Sequence, residues 1–301
     1  MDIRRLHYFV TLVQEKHYSN AAIKLHISQP SLSNAIKKLE EEVGFQLLER
    51  DTRNLELTEP GRLFYIRALE LIGRFSNLHT ELEEIKQLGS GTISIGLIES
   101  ANYWLPKIIR NFKSSYSDIR FQFKEILGEK NVIEALEKYS VHFMVTNQHI
   151  NNEKMNVTPI YTEKFLLLTH KDDELARKRD VSVHDLAGKK LIISTPGYQT
   201  REDILRAFKK AAIPPNIVFE IERLETACRL AEEGLGITIL PESYIMYATG
   251  RNTDCRPIDF PGLERTVYVA YLKNRYLSPA VFKLIDEIIS FFKNKEMASG
   301  C

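Results

Sequence analysis

Cysteine is scarce in this sequence: three in 301 residues, Cys228, Cys255 and Cys301, odd in number and far apart. No CxxC pair and no Cys/His cluster occurs, which excludes a disulfide framework and a zinc finger. The eight histidines have no metal-ligand spacing, and His7, His17 and His26 read as surface or packing residues. No apolar run approaches the roughly eighteen residues of a membrane span. An excess of charge of one sign is missing as well. Lys plus Arg is 41 and Asp plus Glu is 40, so the net charge is +1. That excludes a highly basic nucleic-acid coat and an acidic disordered tail, but not a local basic face. Catalytic signatures are also missing. There is no P-loop, HExxH or GxSxG, and neither Gly89-Ser90-Gly91 nor Gly234-Leu235-Gly236 completes a GxGxxG opening a helix. An enzyme is therefore not expected, and no cofactor. The start, MDIRRLHYFV, has an acid at position 2 and turns polar by Gln14, unlike a signal peptide. The chain is expected in the cytoplasm, not as a transport-type binding protein.

What is present is ordinary globular composition, 44% apolar and 27% charged, in a length that predicts two or three domains. Leu6, Phe9, Val10 and Val13 form an amphipathic helical stripe over 3–16. Ser19 is the expected N-cap of a short second helix through Ala21, Ala22 and Leu25. His26-Ile27-Ser28 interrupts it. Ser28 then caps a third helix, with Gln29-Pro30 in its first turn, Leu32, Ile36, Leu39 and Val43 inward, and Gly44 at its end. Two short helices joined by a tight turn, about 18–37, make a helix-turn-helix. Phe45 to Arg50, a polar tip Asp51-Thr52-Arg53-Asn54, and alternating Leu55-Glu56-Leu57-Thr58 read as a β-hairpin wing. Residues 1–58 hold eight basic and eight acidic side chains, yet 16–39 contain Lys16, Lys24, Lys37 and Lys38 and no acid. A DNA backbone would meet that basic end first.

Thr58 is placed to cap a long helix beginning at Glu59-Pro60. Phe64, Ala68, Leu71, Phe75, Leu78, Leu82 and Ile85 follow at spacings 4, 3, 4, 3, 4, 3, a heptad seam suited to pairing two chains. Gly89-Ser90-Gly91 is expected to end the helix in a hinge. From residue 92 strands alternate with helices. Strands are expected at 92–97, 119–126, 141–146, 157–169, 190–194, 217–221, 236–240 and 266–272. Helices are expected at 104–116, near 132–136, and at 201–212, 224–233 and 279–293. This alternation implies α/β layers around mostly parallel sheets. The long run 157–169 and the return near 260–268 read as two crossovers between lobes.

The run SNAAIKLHISQPSLSNAIKKLEEEVGFQLLERDTRNLELTEPG resembles the N-terminal domain of LysR-type transcriptional regulators. Ala21-Ala22, Ser28-Gln29-Pro30, Ser31 with Ser33, Lys38-Leu39-Glu40, Gly44, Leu48 with Arg50, and Leu57-Thr58 with Gly61 carry the likeness. Glu225 to Leu230, Gly234 to Pro241, and Leu105-Pro106 resemble the effector domain of the same family. The resemblance implies an α/β protein with an all-α-rich winged helix-turn-helix at 1–58 and a coiled-coil dimerisation helix at 59–88. A two-lobed, periplasmic-binding-protein-like effector domain would fill 89–301, lobe I being about 92–162 and 266–301 and lobe II about 163–265. It implies that Gln29, Ser31, Ser33 and Asn34 meet base edges or phosphates in the major groove. Lys37 and Lys38 would attract phosphates, and Arg50 and Arg53 would reach phosphates or the minor groove from the wing.

Ligands of open α/β sheets bind beyond the carboxyl ends of the strands, here between the lobes. By position in the family, Ser100, Thr195 and Thr226 are the first effector contacts, with Gly128, Asn147 and Arg201 behind them. Each also has a plainer reading: Ser100 and Thr200 as helix caps, Arg201 as a surface cation. Glu99 and Glu129 near this cleft would oppose a strongly anionic ligand. The function implied is a sequence-specific transcriptional regulator, dimeric or tetrameric, answering a small-molecule effector. Its partners would be double-stranded DNA, the effector and, in activation, RNA polymerase. The alternative is a redox-sensing regulator using Cys228 on the 224–233 helix, with Cys255 in a loop.

Overall fold

The computed structural model describes residues 1–49, 55–86, 91–248, 252–260 and 262–299. The chain divides into two compact units, Met1–Glu83 and Glu84–Cys301. Among the described residues no helix is long and apolar enough to cross a membrane.

The first unit begins with α1 (Ile3–Glu15), capped by the Asp2 carboxylate, which accepts from the Arg5 N–H at 2.9 Å. Helix α2 (Tyr18–Lys24) is capped by His17, not Ser19. The His17 ring nitrogen accepts the Ser19 N–H at 3.2 Å, so Ser19 lies inside the helix with its hydroxyl left for another partner. His26, at φ 55°, turns the chain tightly, and the Ile27 N–H closes the turn on the Ala22 carbonyl at 3.0 Å. Helix α3 (Gln29–Val43) starts at a Ser28 cap with Pro30 in its first turn and ends at Gly44 in the left-handed region, φ 83°. A side chain at that angle is strained, which is why glycine stops the helix there. Leu6, Phe9, Leu12, Leu32, Ile36 and Leu39 fill the core between the helices.

The stem of the wing is present. Leu48 bridges Leu57, the Glu49 N–H donates to the Glu56 carbonyl, and the Thr58 N–H donates to the Leu47 carbonyl at 3.1 Å. The tip, with Arg50 and Arg53, lies outside the described residues. Thr58 caps α4 (Glu59–Lys86) by accepting the Gly61 N–H at 3.0 Å. The end of this helix is described only to Lys86, and Gly89 and Ser90 of the expected hinge fall outside.

Gly61 has no room for a methyl group: a Cβ would stand 2.0 Å from the Leu47 carbonyl oxygen. Helix propensity alone favours alanine over glycine by about 1 kcal/mol. The clash is with backbone, so it outweighs that gain. Gly61→Ala is expected to destabilise the first unit by about 1–3 kcal/mol, read by denaturant unfolding. A stabilised variant would refute this account of the wing stem.

The second unit runs β1 (Gly91–Leu97), α5 (Leu105–Phe112), β2 (Ile119–Glu125), α6 (Glu129–Glu137), β3 (Phe143–Thr146) and the long β4 (Met155–His170). It continues with β5 (Val181–Ser182), β6 (Lys190–Ser194), α7 (Gln199–Lys210), β7 (Asn216–Ile221), α8 (Leu224–Glu232) and β8 (Ile237–Pro241). It ends with α9 (Glu242–Ala248), β9 (Thr253–Asp259), β10 (Glu264–Leu272) and α10 (Pro279–Ser299). Strand order is β2-β1-β3-β10-β4-β8-β6-β7, with β9 between β4 and β5. Pairings β1–β2, β1–β3, β6–β7 and β6–β8 are parallel, and those of β4 with β8, β9 and β10 are antiparallel.

Strand β4 belongs to both lobes. Residues 155–164 pair with β10, and Phe165–Leu168 pair with β8. One lobe is filled by Ile95, Trp104, Phe112, Phe143, Val267 and Leu284, the other by Phe165, Leu167, Ile193, Phe208 and Ile239. Helix α9 and strands β5 and β9 are absent from the sequence reading. Pro257 argues against a strand at β9; it lies opposite Leu166 of β4, while β5 pairs only with Ile258 and Asp259, so no second neighbour needs an N–H at Pro257. Cys255 therefore stands on a strand, not in a loop.

Candidate functional site

Two regions carry the chemistry, one in each unit. In the first, Gln29, Ser31, Ser33, Asn34, Lys37 and Lys38 are all exposed on α3, while Leu32, Ile36 and Leu39 are turned inward. The alternation follows from the helical period, so one sequence run supplies both the core and a polar outer face. Gln29 accepts from the Ser19 hydroxyl at 2.9 Å, tying the start of α3 to α2 and leaving its amide nitrogen as donor. The Ser31 and Ser28 hydroxyls lie 2.7 Å apart. Lys37 is 3.8 Å from Glu41, an exposed pair of little energetic weight. Glu40 does something the sequence did not reveal. Its carboxylate accepts the Leu47 N–H at 2.7 Å and the Leu48 N–H at 3.2 Å, fixing the turn that leads into the wing. Buried backbone donors need such partners, and an ionised acceptor is a strong one.

The heptad stripe of α4 divides in two. Phe64 packs edge-on against Phe9, ring centres 5.4 Å apart, and Ala68 is only 2% exposed within the same core. Those two positions, expected on an interchain seam, serve their own unit. From Leu71 onward the stripe is uncovered: Leu71, Phe75, Leu78, Leu82 and Ile85 are 42–55% exposed. Leu63, Ile66 and Leu69, not singled out from the sequence, are exposed as well.

In the second unit a cleft of about 390 Å³, its open mouth included, opens beyond the ends of β1, β2 and β3. Its walls include Glu99, Ser100, Glu125, Asn147 and Gln148 on one side and Tyr198, Gln199, Thr200 and Leu224 on the other. Arg265 forms part of the lining. It is 7% exposed, and its register partner across the β4–β10 pair is Glu163, 6% exposed. The Arg265 Nε donates to Glu163 Oε1 at 2.7 Å. Nη2 donates to the Ser100 hydroxyl at 2.9 Å and Nη1 to the Thr200 hydroxyl at 3.3 Å. The other Glu163 oxygen accepts the Ser243 N–H at 3.0 Å. One guanidinium thus ties together the loop after β1, the helix after β6 and both long strands that pass between the lobes.

A second tie crosses the cleft. Glu99 accepts the Leu224 N–H, at the start of α8, at 3.2 Å. Burial nonetheless raises the Glu99 carboxyl above its ordinary range, against hydrogen bonds from Leu224, Tyr244 and Glu225.

The expected effector residues fall in different places. Ser100 and Asn147 line the cleft. Gly128, at φ +82°, is outside the lining but follows the lining residue Leu127, and a Cβ there would lie 3.6 Å from the Gly197 carbonyl oxygen. Thr195 lies outside the lining and donates its backbone N–H to Ile221 at 2.8 Å. Thr226 is exposed in the first turn of α8, also outside. Arg201 is neither surface cation nor lining residue. It donates to the Ser194 carbonyl at 2.7 Å and pairs with Glu220 at 2.6 Å, clamping α7 to its sheet. Thr200 is no N-cap, because the helix begins at Gln199 after Tyr198. Glu129 is replaced in the lining by Glu125.

Cys228 and Cys255 belong to one apolar cluster. Burial, and then the nearby Glu99 carboxylate, push the Cys228 thiol up to about 12, and burial pushes Cys255 to about 11. Peroxide-sensing thiols need the opposite, a lowered pKa and access. Cys228→Ser is expected to leave DNA binding and its response to peroxide unchanged. A peroxide-dependent mobility shift abolished by this substitution would contradict that.

A helix-turn-helix with an exposed polar reading face, joined in one chain to a two-lobed domain with a central cleft, defines the architecture of a bacterial DNA-binding regulator with a sensing domain. The comparisons agree. Residues 3–62 match the bacterial regulatory helix-turn-helix protein model of the lysR family, and residues 86–293 match the LysR substrate binding domain. The chain belongs to the LysR family of transcriptional regulators. It is 31% identical to the transcriptional dual regulator GltC of Bacillus subtilis over 98% of this chain and 99% of that one. The solved structure of full-length BenM is 27% identical, covers 98% of each chain and gives a TM-score of 0.61. Full-length CbnR complexed with its target DNA shares the fold at 22% identity, TM-score 0.64, over 96% of this chain and 99% of that one. The relatives are regulators, and so is this chain, not an enzyme.

Proposed function

We propose that this protein binds a specific operator through α3 and the wing, as a homodimer or homotetramer, and changes its DNA contacts when a small molecule occupies the cleft. On this reading residues 1–58 bind DNA, 59–88 pair the chains, and 89–301 sense the effector. The observation that carries it is the Arg265 cluster, in which one buried cation holds groups from both lobes at the cleft. A ligand seated there changes the relative energy of lobe arrangements, which is the differential binding that any effector needs.

Base readout falls to Gln29, Ser31, Ser33 and Asn34, with Lys37, Lys38, Arg50 and Arg53 on phosphates. Ser100 and Asn147 are the effector contacts best supported. Ser33→Ala or Asn34→Ala is expected to change discrimination between operator and altered sites by about 1–3 kcal/mol at a base-contacting position. Lys38→Ala should instead weaken binding to all sequences and flatten the salt dependence.

The direct test is a mobility shift of the full chain on its own upstream DNA against scrambled DNA across a salt series. Preferential, salt-sensitive retardation of the upstream fragment supports the reading. Equal binding of both, or none, counts against operator recognition by this face at that site.

A further inference from the structure

The charge inventory of the cleft narrows what it takes. Arg265 is the one cation among the described residues that line it, and Glu163 already neutralises it at 2.7 Å. The other two charged lining residues are Glu99 and Glu125, both on the lobe I side. Among the described residues that line the cleft, no second cation offsets them. On the opposite wall burial first, and then Glu125, Glu222 and Glu99, raise the Tyr198 phenol against the opposing effect of Arg223. Burial first, and Glu125 beside it, hold the Glu99 carboxyl above its ordinary range, so a positive group between the two glutamates favours their ionised forms.

The opposing wall has the reverse polarity. Tyr198, Gln199 and Thr200 line the cleft at the start of the twelve-residue helix α7, whose N-cap side chain makes no capping bond. The first amides of a helix lack intrahelical acceptors and carry a partial positive charge. Between the two walls Gln148 is 7% exposed, and its side-chain amide has only a long 3.5 Å hydrogen bond to Asn147. That bond is long, so the amide can turn to a polar ligand atom at little cost.

We infer that the effector is a small zwitterion, an α-amino acid or close analogue, with its ammonium toward Glu99 and Glu125 and its carboxylate toward the first turn of α7. This rests on the reading of the cleft as the effector site. A dicarboxylate would place its second charge against the glutamates, and a bare amine would leave the α7 amides unmet.

The test uses the full chain and three probe sets: the proteinogenic L-amino acids, the matching 2-keto acids without ammonium, and the matching amines without carboxylate. Thermal shift finds binders and calorimetry gives affinities. At least one amino acid is expected to bind tenfold or more tightly than both of its counterparts. Glu125→Gln, at an exposed position, should weaken it about tenfold. A keto acid that binds as tightly as its amino acid overturns the inference, as does Glu125→Gln binding undiminished. If no amino acid binds but sugars or carboxylic acids in a parallel panel do, the zwitterion falls and the effector reading stands. If nothing binds in any panel, both fall.

Discussion

Arg265→Leu is expected to cost the effector unit about 3–5 kcal/mol of stability. The substitution leaves Glu163, 6% exposed, buried without its cation. It also removes donors to Ser100 and Thr200 at 2.9 and 3.3 Å, so the two lobes lose a shared partner. The cost comes from leaving a charge alone, more than from the attraction itself, and this gives the prediction a second arm. Arg265→Leu combined with Glu163→Leu removes both charges and should recover much of the loss, since buried pairs often barely exceed their own desolvation cost. Trp104 is the only tryptophan in the chain. It packs against Tyr161 and Phe292 in lobe I, so its fluorescence follows unfolding of this unit. A single variant within 1 kcal/mol of wild type would show that Arg265 does not organise the cleft.

Leu78→Lys is the second large effect. Leu78 is 53% exposed at the middle of the uncovered stripe from Leu71 to Ile85. Contiguous apolar surface of this kind marks an interaction face, and the heptad spacing selects another helix as its cover. In a two-fold pair the substitution acts twice. Each copy forfeits about 1.5–3 kcal/mol of leucine burial, and two ammonium groups then meet in the seam. The dimer constant should weaken by about 100- to 10,000-fold, and operator affinity with it, because paired half-sites bind through effective concentration. Light scattering reads the mass. Ala68→Ser makes the control: Ala68 is only 2% exposed in its own unit, so this change should affect folding of the first unit more than assembly. An unchanged mass for Leu78→Lys would refute the seam.

Local chemistry was legible in the sequence. Ser28, Pro30 and Gly44 delimit α3 within a single run, and the helical period alone separates its buried from its exposed face. Thr58 and Gly61 likewise mark the start of α4. The strands and helices after residue 91 were recognised by apolar runs, apart from α9, β5 and β9. What a spacing cannot tell is which body covers it. Phe64 and Ala68 obey the same 4-3 rhythm as Leu78, yet they pack on their own core while Leu78 does not. Ser19 lost the capping role because a histidine ring nitrogen two residues earlier can accept the same N–H.

The cleft was harder to read for a topological reason. Glu163 and Arg265 are 102 residues apart and meet only because two long antiparallel strands fall into one register. Glu99 and Leu224 are 125 apart. No local pattern announces such pairs. Ser100 and Asn147 follow strand ends, which the general rule for α/β sheets does locate. Arg201 follows one too, but Glu220 on the neighbouring strand claims it.

On the proposed reading, cleft occupancy and DNA binding are coupled. The measurement that tests it most directly is a reciprocal titration of the full chain. The strongest cleft binder from the thermal-shift panels is used, with upstream DNA followed by fluorescence anisotropy. The compound should change the affinity for DNA by about 5- to 150-fold, the usual range of allosteric coupling. By linkage, saturating DNA should change the affinity for the compound by the same factor. Superimposed DNA curves with and without a compound that demonstrably binds would contradict the account.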